Sequence, residues 1–161
     1  MSFEKTNGLG VQASYGPRTT NQKWGGKAPD DVVKYATWTF TYNNLPAAGT
    51  DNLGVSLPAY SKILSARLEI LTAFTSTSTT TDLDIGLQTS AGVEIDNDGL
   101  ITAAQATQTV IATRGNFVTG TGALVGASIG ATAGELVVTP TVSDLLTGKA
   151  RVIVSYITEG V

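Results

Sequence analysis

The chain has 161 residues, 42% of them hydrophobic and only 14% charged, with 18 glycines and a net charge of −3. That length suffices to bury one domain core, and the composition is opposite to that of disordered chains. Cysteine and histidine are both absent, which excludes disulfides, thiol chemistry and Cys-ligated zinc and removes the commonest general base and metal ligand.

Residues 1–32 begin Met1-Ser2-Phe3-Glu4-Lys5-Thr6, without the apolar segment of a signal peptide. Nowhere does an apolar stretch approach the ~18 residues of a membrane span, so a cytoplasmic origin and no membrane partner are expected. The segments Thr6–Gly10, Tyr15–Asn21 and Trp24–Pro29 are dense in Gly, Pro and Asn and predict an extended arm with neither helical nor strand periodicity. Residues 1–29 hold Lys5, Arg18, Lys23 and Lys27 against Glu4, a net +3, whereas the remaining six basic and twelve acidic residues leave the body at −6. A basic arm precedes an acidic body, and such a body is a poor match for nucleic acid. Tyr15, Arg18, Lys23, Trp24 and Lys27 are the candidate partner-binding residues of the arm.

From Val33 to the C-terminus a period of two predicts a single β domain, residues 33–161. Ala36, Trp38, Phe40 and Tyr42 share one face of a strand over Val33–Tyr42. A turn-rich stretch with Pro46, Gly49, Gly54 and Pro58 follows. Lys62–Phe74 predicts a half-buried strand with Leu64, Ala66, Leu68, Ile70 and Phe74 inward and Ser65, Arg67 and Glu69 outward. Thr75–Thr81, wholly Ser and Thr, reads as a polar loop. In Asp82–Gln88, Leu83, Ile85 and Leu87 point inward, and Thr89–Gly92 makes a hairpin connection to a strand at Val93–Ile95. Asp98 is placed to cap a short helix through Leu100–Ala106. Further strands are expected at Ala123–Ser128, Glu135–Thr139 and Ala150–Ile157, with one helical turn over Ser143–Gly148. About seven or eight strands with almost no helix predict an all-β fold, an antiparallel β-sandwich of jelly-roll type.

Chemistry is sparse. Asp82 and Asp84 share a strand face, where a solvated edge that discourages sheet pairing explains them better than a carboxylate pair for catalysis. Glu94-Ile95-Asp96-Asn97-Asp98-Gly99 alternates oxygen donors like the start of a calcium loop. The closing position falls on Gln105, which has no bidentate carboxylate, so an Asx-rich turn is preferred and no metal is assigned. Gly120-Thr121-Gly122 lacks the βαβ context and the Lys of a phosphate cradle. Trp38, Phe40 and Tyr42 read as core, whereas Tyr15, Trp24 and Tyr60 lie in turn-rich sequence and are open to a sugar-stacking role.

Three segments, Lys5-Thr6-Asn7-Gly8-Leu9-Gly10, Ala66–Phe74 and Asp144–Val154, give the chain its resemblance to the capsid decoration, or cement, proteins of tailed bacteriophages. The resemblance implies a non-enzymatic virion protein, made in the bacterial host cytoplasm and attached to the outside of an icosahedral capsid. It would stabilise that shell by bridging subunits of the major capsid protein, frequently as a homotrimer and without a cofactor. The competing expectation is a glycan- or receptor-binding sandwich of a fibre or carbohydrate-binding module. A calcium-dependent accessory domain of an enzyme ranks third.

Overall fold

Thr, Val, Ile and Leu recur at alternating positions through the body of the chain, and such side chains pack well on a pleated, half-buried surface. The computed structural model describes residues 32–45, 47–49 and 52–158; the arm residues Tyr15, Arg18, Lys23, Trp24 and Lys27 lie outside the described residues. Eight strands are present there: β1 (Lys34–Thr41), β2 (Asn52–Leu57), β3 (Ser61–Ser76), β4 (Leu83–Gln88), β5 (Glu94–Ile101), β6 (Phe117–Thr119), β7 (Gly134–Pro140) and β8 (Leu145–Thr158). A 3-10 turn occupies Tyr42–Asn44, and one short helix, α1, spans Gln108–Ile111.

All ladders are antiparallel. Sheet A has the strand order β1-β8-β3-β6 and sheet B the order β2-β7-β4-β5. Four of the pairings, β4 with β5, β3 with β6, β2 with β7 and β1 with β8, are those of one long hairpin whose tip is the β4–β5 turn. The other two, β3 with β8 and β4 with β7, roll that hairpin into a pair of sheets. The result is the jelly roll, the architecture the strand count predicted.

Inward residues of both sheets make one core. Ala36 and Phe40 of β1, Ala66, Leu68 and Ile70 of β3, and Ala150, Val152 and Val154 of β8 face Leu83, Ile85 and Leu87 of β4 and Leu136 and Val138 of β7. At one end Phe40 stacks on Phe74 with ring centroids 6.1 Å apart, and Trp38 tilts against Phe40 at 5.1 Å. Glycines make room for these rings: a Cβ on Gly54 would lie 2.3 Å from the Trp38 ring, and one on Gly148 would lie 2.1 Å from that of Phe74.

Several local expectations are corrected. Leu64 is 40% exposed and Ile63 fully buried, because a register shift between Ile63 and Ser65 reverses the phase at the start of β3. The helix expected over Leu100–Ala106 is absent. Leu100 and Ile101 end β5, where both are fully buried and Ile101 pairs with Ile85, and α1 begins only after Thr107. Ser143–Gly148 is not a helical turn. Ser143 and Asp144 spend their side chains on other segments, and Leu145 already opens β8 opposite Ser76. Ala123–Ser128 is no strand either. Turn bonds Val125 N–H to Gly122 O (3.0 Å) and Ala127 N–H to Leu124 O (3.1 Å) coil it, while Gly126 and Ile63 bond across to Ile63 O and Ala127 O. Strands β2 and β6 have no clear counterpart in the sequence pattern, one lying inside a Gly/Pro-rich stretch and the other being only three residues long.

The Ser/Thr tract is less loop-like than expected. β3 continues through Ser76, and Thr81 is fully buried. Ser76, Thr81 and Ser143 place their hydroxyls within 2.8 Å of one another, so each can donate to one neighbour and accept from the other. This triangle ties the end of β3 to the connections before β4 and β8, satisfying polar groups that would otherwise be costly to bury.

Strand β5 departs most from regular pairing. Ile85 pairs with Ile101 but Leu87 with Asp96, so Asn97–Leu100 bulge opposite Gly86. The bulge lies against Gly86, where a Cβ would sit 2.0 Å from the main-chain oxygen of Asp96. The contact is backbone and cannot swing aside. Gly86→Ala should therefore lower stability by at least about 2 kcal/mol, measured by chemical denaturation; a change of a few tenths would mean that the bulge shifts freely.

Candidate docking face

Ladder register defines what each sheet shows to solvent. Across sheet A the outward rows run Tyr35–Ser155–Ser65, Thr37–Ile153–Arg67–Thr119, Thr39–Arg151–Glu69–Phe117 and Thr41–Lys149–Thr72. Tyr35 is 69% and Phe117 66% exposed, the two largest apolar exposures among the described residues. Ser65 and Ser155 share a hydrogen bond at 2.7 Å. Arg151 Nε donates to Glu69 Oε2 at 3.0 Å, and a second guanidinium N–H donates to the same oxygen. A surface pair of this kind contributes about 0.2–1 kcal/mol and fixes the arginine's direction. Arg67 and Lys149 have no ion-pair partner among the described residues.

The charges are sorted by sheet. All six described lysines and arginines, Lys34, Lys62, Arg67, Arg114, Lys149 and Arg151, lie on strands of sheet A or, for Arg114, in the connection entering β6. Strands β2, β4, β5 and β7 carry none, and hold Asp84, Glu94, Asp96, Asp98 and Glu135 instead. Asp82 stands directly before β4. Glu69 is the one acid on a described strand of sheet A.

Asp82 and Asp84 do not decorate a solvated edge. β4 is interior to sheet B, flanked by β7 and β5. Asp84 Oδ1 accepts the Ala103 N–H at 2.6 Å and Asp82 Oδ1 accepts the Gln108 N–H at 2.7 Å, so the two carboxylates hold the β5–β6 connection and the start of α1. Glu94–Gly99 forms strand and bulge rather than an Asx-rich turn or calcium loop, and Gln88 Nε2 donates to Asn97 Oδ1 at 2.9 Å. Among the described residues, no group of three His, Cys, Asp or Glu side chains is arranged to hold a metal ion. Tyr60, considered for sugar stacking, is partly exposed at a tight turn with positive φ (57°), its N–H bonded to Gly130 O at 2.7 Å. Of the three aromatics expected in the core, Phe40 is fully buried there, and Trp38 and Tyr42 pack against it half-buried.

The site that sequence reasoning does not find is the outward grid of sheet A. A signal exists in Arg67, Glu69 and Arg151, which alternate with apolar residues, but Arg151 and Glu69 meet across the sheet from 82 residues apart.

The geometry is that of a jelly-roll sandwich with one basic, aromatic-bearing face and one acidic face. No protein-family model matches the chain, and no curated protein matches it by sequence. Solved structures share the fold. A chain in the capsid of Ralstonia phage GP4 superposes with a TM-score of 0.58 at 19% identity, covering 89% of this chain and 93% of that one. A chain of the cyanophage Pam1 capsid asymmetric unit gives 0.54 at 18% identity, covering 88% and 97%. A chain of the acid-stable capsid of Helicobacter pylori bacteriophage KHP30 gives 0.51 at 16%, covering 81% and 91%.

Two acids of sheet B, Asp84 and Asp96, are costly to keep ionised. Burial first, then the charges of Asp98 and Asp82, push the Asp84 carboxyl up, against the Ala103 hydrogen bond that lowers it. For Asp96 burial again leads, followed by a side-chain hydrogen bond with Asp98 and the charges of Asp98 and Glu94. Both folded values exceed the unfolded one, so the folded chain holds these protons more tightly. Their contribution to stability is complete below the unfolded carboxylate range and declines as pH rises through the raised values. Asp96→Asn, which keeps an acceptor but removes the charge, should melt above the wild type at pH 7, and the gap should close as pH falls towards about 4. A pH-independent difference would attribute the effect to packing instead.

Proposed function

We propose that this protein is a non-enzymatic component of a phage virion that attaches to the outside of an icosahedral capsid and stabilises it by bridging capsid subunits. One observation carries the reading: the jelly roll matches, over nearly the whole of both chains, chains of similar size that sit in three phage capsids. The chain offers no histidine or cysteine for chemistry, and its exposed features are extended rows of hydroxyl, aromatic and arginine side chains suited to surface contact.

In this mechanism the basic arm, residues 1–32, works with the body. Tyr15, Arg18, Lys23, Trp24 and Lys27 order on the major capsid protein or on a neighbouring copy. Ordering costs about 1–2 kcal/mol per residue in backbone entropy, and repetition over a lattice of identical sites offsets it through multivalency. A trimer would multiply the attachment points further.

Density-gradient separation of particles from a lysate of the source phage tests the assignment. Hundreds of copies per particle should travel with the shell subunit. A handful would make the chain a tail or fibre component, and none would leave glycan or receptor binding as the better reading. Deletion of residues 1–29 should leave the melting transition of the body unchanged and weaken its attachment to shells; undiminished attachment would remove the arm from the mechanism.

A further inference from the structure

We infer that the outer face of sheet A is the surface that meets the partner, and that the partner presents an acidic protein surface to it. The inference rests on the shell-binding reading and adds to it the face and the chemistry of what lies opposite.

Three observations converge on this face. Tyr35 and Phe117, the most exposed large apolar side chains described, belong to its outward rows on the two outer strands, β1 and β6, with Ile153 between them. Aromatic and arginine side chains are the residue types that dominate binding energy at protein interfaces. Arg67 and Lys149 on the same rows are cations without an ion-pair partner among the described residues, and the Glu69 charge is taken up by Arg151. A complementary surface therefore supplies carboxylates.

The opposite face strengthens the assignment. Sheet B has acids and no described lysine or arginine on its strands, so the described charges form a dipole from one sheet to the other. Near a negatively charged surface that dipole turns sheet A inward before contact and turns sheet B away, raising the rate of productive encounter. A second copy is the weaker occupant. Joining the basic face of one sandwich to the acidic face of the next repeats by near-translation and gives an open stack rather than a closed assembly. A phosphate backbone is weaker still, since it would meet Glu69 and Ile153 among the cations.

The test uses the full chain and phage shells depleted of it, with attachment measured by co-sedimentation. Arg67→Glu and Phe117→Ser are both outward and should leave the melting temperature near that of the wild type; Glu135→Gln on sheet B is the control. Wild-type attachment should weaken as salt rises. Each sheet A variant should bind at least about tenfold more weakly, while the control stays within about twofold. Equal binding by both sheet A variants overturns the inference and leaves shell binding standing. Wild-type chain that fails to bind shells removes the functional reading and this inference with it. If either variant instead breaks up a wild-type oligomer in shell-free solution, the face belongs to a second copy, and the acidic-shell assignment is wrong.

Discussion

Pairing of β8 with β3 is the constraint on which the remaining structure depends. These are the two longest strands, joined from Ser61–Thr158 at one end to Ser76–Leu145 at the other, and every residue of one is far in sequence from its partner in the other. Without that ladder the chain is a flat nested hairpin with one apolar face open to water. With it, β1 and β6 are carried to the two flanks of one sheet, the matching β4–β7 ladder closes the second, and the apolar faces meet. Loop-closure entropy must be spent before such contacts return anything, so this topology folds through non-local contacts rather than from local elements.

The same rolling sorts the charges. Along the chain basic and acidic residues are interleaved from Lys34 to Arg151. Strands one, three, six and eight form sheet A, and two, four, five and seven form sheet B. Because the lysines and arginines of the described strands occur on the first set, and all of those strands' acids but Glu69 on the second, the described sandwich acquires two faces of opposite sign. Net charge alone conceals this, because the local field depends on where charges sit and not on their sum.

Sheet B shows a cost accepted within the fold. Its bulge lays the Asp96 and Asn97 backbone against Gly86 and brings Asp96 and Asp98 together, and burial with like-charge repulsion raises the carboxyls of Asp84 and Asp96. In return, Asp82 and Asp84 provide acceptors for backbone N–H groups at Gln108 and Ala103. Hydrogen bonds to charged acceptors are stronger than neutral ones, and here they hold a connection that has only one helical turn of its own.

Much of the fold is legible in the sequence. Alternation marks β1, β4 and most of β3 with the correct inward residues, since a period of two is imposed by the strand itself, and the ranges expected for β7 and for the second half of β8 are strand. Phe40, Phe74 and Leu68 are readable as core for the same reason. The absence of histidine and cysteine limits the available chemistry on composition alone. Tertiary structure decides the rest. Leu64 and Ile63 exchange places because a bulge, set by the partner strand, inverts the phase. Leu100 and Ile101 become strand because β4 needs a neighbour, overriding a local cap signal at Asp98. β2 forms within a Gly/Pro-rich stretch because β7 supplies its ladder and Trp38 covers Gly54. The outward grid of sheet A belongs to no segment, since its rows join residues from three or four strands. Local patterning specifies which side of a strand is buried; only the long-range ladders specify which strands lie side by side, and a docking face is made of that adjacency.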